Sequence, residues 1–167
     1  QASLAKTECD QLTLSLPSKL ENIDPIKIWS SYEGMVTATY CSTLTLIDEN
    51  GNIVGSLLKK WTVSEDLKTY TLYLKDNIKF HDGSTLSAED VAYSLSRHYW
   101  SNSNSSQKEI LNYAFDQRKS IKPNSTLDFI KVLSQNHLQI SLPKPYLPFL
   151  SLLSFFGFCI VKKNSPE

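Results

Sequence analysis

This 167-residue chain lacks any net charge, its seventeen Lys and Arg balancing seventeen Asp and Glu. No basic stripe runs along any helical stretch, so nucleic-acid binding has no electrostatic footprint. Glycine is scarce, five residues in all, and those few form neither a dinucleotide fingerprint nor a phosphate loop, so no cofactor is implied. Histidine is scarcer still: His81, His98 and His137 share no H-x-x-x-H or H-E-x-x-H spacing, which argues against a zinc site. No G-x-S-x-G occurs. The paired carboxylates Asp48-Glu49, Glu65-Asp66 and Glu89-Asp90 fit turns and helix starts, and no enzyme emerges. No apolar run reaches the ~20 residues that a membrane span needs. The richest, residues 146–161, is broken by Pro148, serines and Gly157. The opening residues 1–10 lack the apolar stretch of a signal peptide and read as a leader; a secreted chain in mature form would look the same. The three cysteines, Cys9, Cys41 and Cys159, have no metal-ligand spacing. An odd count permits at most one internal bridge, and nothing in the sequence brings two of them together. The expectation is free thiols.

What is present is ordinary globular composition, 41% hydrophobic and 20% charged, enough for one domain burying roughly 70% of its unfolded surface. The chain is organised around residues 61–97. Trp61 and the polar turn Ser64-Glu65-Asp66 precede a strand in which Tyr70, Leu72 and Leu74 alternate with Thr71, Tyr73 and Lys75. His81-Asp82-Gly83 is a turn in which glycine takes positive φ. Ser87 opens a helix as an acceptor for an orphan N–H, with Glu89 and Asp90 at the positive end of its dipole. Ala88, Val91, Ala92, Leu95 and Tyr99 recur at helical spacing, so one face of this helix lies on the strand. Arg97 closes it as a charge at a helix C-terminus, or as the partner of a buried carboxylate.

Elsewhere, residues 11–16 alternate as a first strand that Pro17 ends. Ile23-Asp24-Pro25 is an irregular crossing, and a helix over 31–41 follows with Tyr32, Met35, Val36 and Thr39 or Tyr40 on its buried face. Asn50-Gly51 between apolar runs signals a hairpin. After the polar loop 101–106, a short helix over 107–115 carries Ile110, Leu111, Ala114 and Phe115. Residues 129–133 and 137–142 form an antiparallel pair, residues 147–155 a helix with Pro148 in its first turn, and 157–161 a last buried strand.

This wording resembles one family closely: the family 5 extracellular solute-binding proteins, which include oligopeptide-, dipeptide- and nickel-binding proteins of ABC importers. Its pattern W-x-x-S-x-D falls on Trp61, Ser64 and Asp66, Y-x-x-x-L-K on Tyr70, Leu74 and Lys75, and I-K-F-H-D-G on residues 78–83. L-x-A-x-D-V-x-x-S-x-x-R falls on Leu86, Ala88, Asp90, Val91, Ser94 and Arg97, and Lys144, Pro145, Tyr146, Pro148, Phe149, Leu150, Val161 and Lys163 fit a later segment. The family's L-D-P step reads Ile23-Asp24-Pro25, and its usual proline and alanine before the tryptophan are replaced by residues 56–60.

The resemblance covers about 12–163 and implies an α+β fold, an antiparallel or mixed sheet with packed helices. That fold would be the N-terminal part of the first lobe of a two-lobed, type II periplasmic-binding-protein-like architecture. Residues 11–43 would supply the strand and helix of the lobe core, 44–156 a subdomain, and 157–167 the returning strand, with the remainder absent. It implies an extracytoplasmic, periplasmic or cell-surface monomer that delivers a peptide or similar small solute to an ABC permease. The rivals are the sensing domain of a cytoplasmic transcriptional regulator and a remnant without ligand. Ile28, Trp29, Ser30 and Ser31 fall where the family's peptide binders offer main-chain hydrogen bonds to an extended ligand, a mode that reads no side chain; Trp29 as a core anchor is the competing reading. Tyr113 falls near a cleft-facing tyrosine of some peptide binders.

Overall fold

Alternation in the sequence becomes burial in the structure, a computed structural model that describes residues 13, 15, 16, 19–28, 30–100, 102, 103, 105, 107–117 and 119–165. A 3-10 turn at Pro25–Lys27 leads into α1 (Ser31–Tyr40), then β1 (Thr45–Ile47), β2 (Ile53–Gly55), β3 (Leu58–Val63), β4 (Thr69–Leu74) and α2 (Ala88–Arg97). There follow α3 (Lys108–Phe115), β5 (Ile130–Ser134), β6 (His137–Ser141), α4 (Phe149–Leu152) and a second 3-10 turn at Phe156–Phe158. Strands β1 and β2 pair antiparallel as a ribbon of their own, and the larger sheet has the order β3-β4-β6-β5. Its pairings are all antiparallel. The α+β expectation holds.

β4 lies inside the sheet with Tyr70, Leu72 and Leu74 buried, and in its register with β6 Tyr70 meets Ile140 and Leu72 meets Leu138. These side chains, with Leu95, Tyr99, Phe149 and Phe158, form one core. Tyr73 points to the other face, stacked on His137 at 5.4 Å with Lys60 Nζ 4.8 Å above its ring. The turn before β4 is tied by Ser64, whose N–H donates to the Thr69 carbonyl and whose hydroxyl donates to Asp66. Strand β3 was not anticipated; Leu58 alone of its six residues is buried, so it carries little periodic signal.

The hairpin at Asn50-Gly51 forms as expected, with Gly51 at φ +81°, and the turn at Gly83 takes the same φ. The helix at Ser87 also forms, but more deeply than expected: every residue of α2 except Glu89 is buried. Ser87 and Asp90 pair across its start. The Ser87 hydroxyl donates to Asp90 Oδ2, which also accepts from the Ser87 N–H at 2.8 Å.

Several expectations are corrected. Helix α1 buries Glu33, Gly34 and Thr37, leaving Tyr32 and Met35 exposed. It packs through its smallest residue: a Cβ on Gly34 would stand 2.7 Å from the Phe156 ring. In α3, Ile110 is exposed and Asn112 buried. The helix expected over 147–155 shrinks to α4, because Ser154 Oγ captures the Ser151 carbonyl and Phe155 turns extended. No strand forms over 157–161. Those residues are largely buried, yet their backbone partners come from elsewhere: Ile160 N–H donates to the Ser42 carbonyl and Val161 N–H to Ser94 Oγ. A side chain and a loop carbonyl replace a ladder. Half of the strand expected over 11–16, residues 11, 12 and 14, lies outside the described residues; Thr13, Ser15 and Leu16, which are described, are in no strand.

The expectation of free thiols also fails for two of the three cysteines, Cys9 lying outside the described residues. Cys41, which ends α1, and Cys159, which follows the second 3-10 turn, are joined in a disulfide with Cα atoms 5.8 Å apart. Packing of α1 on the Phe156–Phe158 turn brings them together across 118 residues, a proximity no local pattern encodes.

Candidate functional site

The segment from Asp24 to Ser31 is held rigidly at its start. Asp24 caps the first 3-10 turn, its Oδ1 accepting from Ile26 N–H at 3.2 Å and its carbonyl from Lys27 N–H at 2.9 Å. Its other oxygen meets Arg97 Nη2 at 2.6 Å in an ion pair whose side chains are 5% and 12% exposed. Arg97 is therefore a buried carboxylate partner. Two bonds complete the capping box that opens α1: Glu33 N–H donates to Ser30 Oγ at 3.2 Å, and Ser30 N–H donates to Glu33 Oε2 at 3.1 Å.

Ile28, Ser30 and Ser31 line one groove of about 320 Å³ together with Gln107, Ile110, Phe155 and Phe156. Trp29 lies outside the described residues. Tyr113 does not line the groove. It stands one turn beyond Ile110 on α3, 64% exposed, with its ring edge against Tyr146 at 5.8 Å and Lys144 Nζ 4.7 Å above its face. Of the five expected residues, three meet in the groove and Tyr113 extends the same helix face past it. Gln107, Ile110, Phe155 and Phe156 were missed, because a glutamine in a polar loop and two phenylalanines in an apolar run have no local signature of a binding wall.

The groove suits an extended ligand. It sets Ile28, Ser30 and Ser31 beside Ile110, Phe155 and Phe156, the mixture of polar and apolar lining that is usual in small-ligand sites. A second concavity of about 330 Å³ lies at the other end of α1, between Tyr40, Leu57, Ile78, Phe80 and Ile160. Charged groups on its rim are already engaged: Lys162 Nζ pairs with Asp82 Oδ2 at 2.5 Å and Lys79 Nζ donates to Thr85 Oγ1 at 2.6 Å. Lys162 and Ser84 hold the Asp82 carboxyl far below the usual carboxylate range. We therefore place the candidate site in the groove lined by Ile28, Ser30 and Ser31.

Among the described residues, serine meets histidine at Ser105 with His98 and at Ser134 with His137. His98 is 2% exposed, so that contact is a core hydrogen bond with no route for a reactant. Among the described residues no cluster of His, Cys, Asp and Glu could hold a metal ion, and no helix is long and apolar enough to cross a membrane.

The family model for bacterial extracellular solute-binding proteins, family 5 (middle region), matches residues 52–167. The chain is 28% identical over 148 residues to a dipeptide-binding protein of Lactococcus lactis, aligned over 86% of this chain and 27% of that protein. Against the nickel-binding periplasmic protein of Escherichia coli it is 28% identical over 152 residues, 87% of this chain and 25% of that one. The chain thus spans about a quarter of the length of these relatives. Among solved structures, the unliganded open form of the periplasmic murein tripeptide binding protein MppA superposes with a TM-score of 0.75 at 27% identity, over 85% of this chain and 28% of that one. Listeria monocytogenes OppA bound to peptide shares the fold, with a TM-score of 0.73 at 21% identity over 84% of this chain and 28% of that one.

Proposed function

The chain belongs to the bacterial extracellular solute-binding proteins of family 5, and from that premise we propose that it is part of the first lobe of a two-lobed protein. That protein captures a peptide or similar small solute outside the cytoplasmic membrane and passes it, as a monomer, to an ABC permease. On this reading residues 44–156 are the first-lobe subdomain, and the segments before and after them belong to the lobe core. The observation that carries the proposal is the groove in which Ile28, Ser30 and Ser31 meet the apolar wall of Ile110, Phe155 and Phe156. Main chain beside apolar surface suits ligands that share a backbone and differ in side chains. Names of relatives support a peptide: two of the proteins above are described as binding a dipeptide and a murein tripeptide.

The 167 residues present only one wall of such a site. Useful affinity for a small ligand requires burial of about 70–90% of its surface. A few open hydrogen bonds, worth about 0.5–1.5 kcal/mol each, do not offset association costs of ~4 kcal/mol or more. The test is calorimetric titration with a mixed di- to pentapeptide library. A two-lobed protein carrying this chain should bind members of the library, and the 167-residue chain should show no submicromolar binding. Failure of the longer protein to bind any peptide overturns the proposal. Submicromolar binding by the chain alone overturns the division of the site between lobes.

A further inference from the structure

The end of α2 and the N-cap of α3 hold the stretch before α1 at two points, Asp24 and Ile28. Upstream, the Arg97 guanidinium holds Asp24, whose carboxylate and carbonyl cap the 3-10 turn at Pro25–Lys27. Downstream, the grip runs through a buried relay. His98 Nδ1 contacts Ser105 Oγ, Ser105 Oγ donates to Gln107 Oε1 at 3.3 Å, and Gln107 Nε2 donates to the Ile28 carbonyl at 3.5 Å. Gln107 is 3% exposed and has no room to swing away on one side, since a Cβ on Gly157 would stand 2.7 Å from its amide carbon. Arg97, the last residue of α2, reaches Asp24 directly, and His98 next to it reaches Ile28 through Ser105 and Gln107. That helix is itself buried on nearly every side.

Building on the peptide-capture reading, we propose that Arg97, His98, Ser105 and Gln107 are positioning residues that fix the main chain of residues 24–28, and through it the approach to Ser30 and Ser31, in the conformation presented to ligand. Two consequences follow. The presented conformation is set from the core and exists before ligand arrives. A ligand then spends little free energy on ordering this wall.

The test removes the relay without removing volume. In Gln107→Met the side chain keeps its length and its packing against Gly157 but loses both polar ends. Hydrogen exchange of the 167-residue chain should accelerate at least ~tenfold at the amides of Ile26, Lys27 and Ser30, while β4 and β6 exchange as before. Ser105→Ala should act in the same direction, and serves if the first variant fails to fold. Unchanged exchange at those amides overturns the inference. So does acceleration spread evenly over the chain, the mark of a general loss of stability. In the two-lobed protein the same variant should weaken peptide binding about tenfold, or 1.4 kcal/mol; unaltered affinity beside accelerated exchange also overturns the role toward ligand. A wild-type protein that binds no peptide sinks the peptide-capture reading instead, and the exchange experiment still decides whether the segment is held.

Discussion

Cys41 and Cys159 stand 118 residues apart in sequence and are covalently joined, tying the end of α1 to the segment that returns under α2. That return segment is stitched to α2 by Val161 N–H on Ser94 Oγ and Lys163 N–H on Asp90 Oδ1, so the bridge closes a loop around most of the core. Replacing both cysteines with alanine should lower unfolding stability by about 2–5 kcal/mol, the range for loss of a native bridge over a long loop. Urea unfolding with and without reductant measures it. Non-reducing mass spectrometry should show two protons fewer per chain than the reduced form.

Acid should destabilise the fold through His98 well before the carboxylates titrate. Burial, and secondarily the Arg97 charge, push its pKa down to about 3. Between the ordinary value of 6.5 and about 3 the unfolded chain carries a proton that the folded chain refuses. Stability is therefore highest above that window and falls as pH drops through it, by up to about 1.4 kcal/mol per pH unit. His98→Gln should flatten this dependence between pH 6.5 and 4, as read from unfolding midpoints at a series of pH values. A variant as acid-sensitive as the wild type would refute the assignment.

Removing one member of the Asp24–Arg97 pair should cost more than any surface charge. Arg97→Met leaves a carboxylate 12% exposed without its cation, and loss of one partner of a buried pair typically costs about 3–5 kcal/mol. The exposed pair Lys59–Asp76, 62% and 61% exposed, is the control. Lys59→Met should change stability by less than about 1 kcal/mol. Chemical denaturation of the two variants side by side makes the comparison.

Gly55 should not accept a side chain. A Cβ there would lie 2.0 Å from the Leu58 carbonyl oxygen, a backbone atom that moves only if the start of β3 moves. Gly55→Ala should destabilise the chain by about 1–3 kcal/mol. Gly51→Ala offers a contrast: nothing lies within 4 Å, and only its φ of +81° is strained. A smaller loss is expected there, of about 1 kcal/mol, and thermal melts of the two variants rank them.

Local chemistry made much of the fold legible. Alternation at Tyr70, Leu72 and Leu74, the Asn50-Gly51 turn and the Ser87 helix start each depend on neighbours within a few residues, and each appears where expected. Of the candidate groove, only part of the lining was legible. Ile28, Ser30 and Ser31 follow the Asp24-Pro25 step and do line a groove, whereas the residues that complete its wall arrive from α3 and the second 3-10 turn.

Short-range hydrogen-bond and steric preferences were sufficient for the sequence by itself to determine the β4 strand, the hairpins and the helix starts. Only the tertiary structure decided which face α1 buries, because the choice belongs to Phe156 seating against Gly34 rather than to the helix's own apolar residues. It likewise decided that residues 157–161 find their partners in Ser42 and Ser94 instead of a ladder, and that Cys41 meets Cys159. Each of these contacts joins residues far apart in the chain, and a contact of that kind is fixed by the packing of the whole core, which no local pattern records.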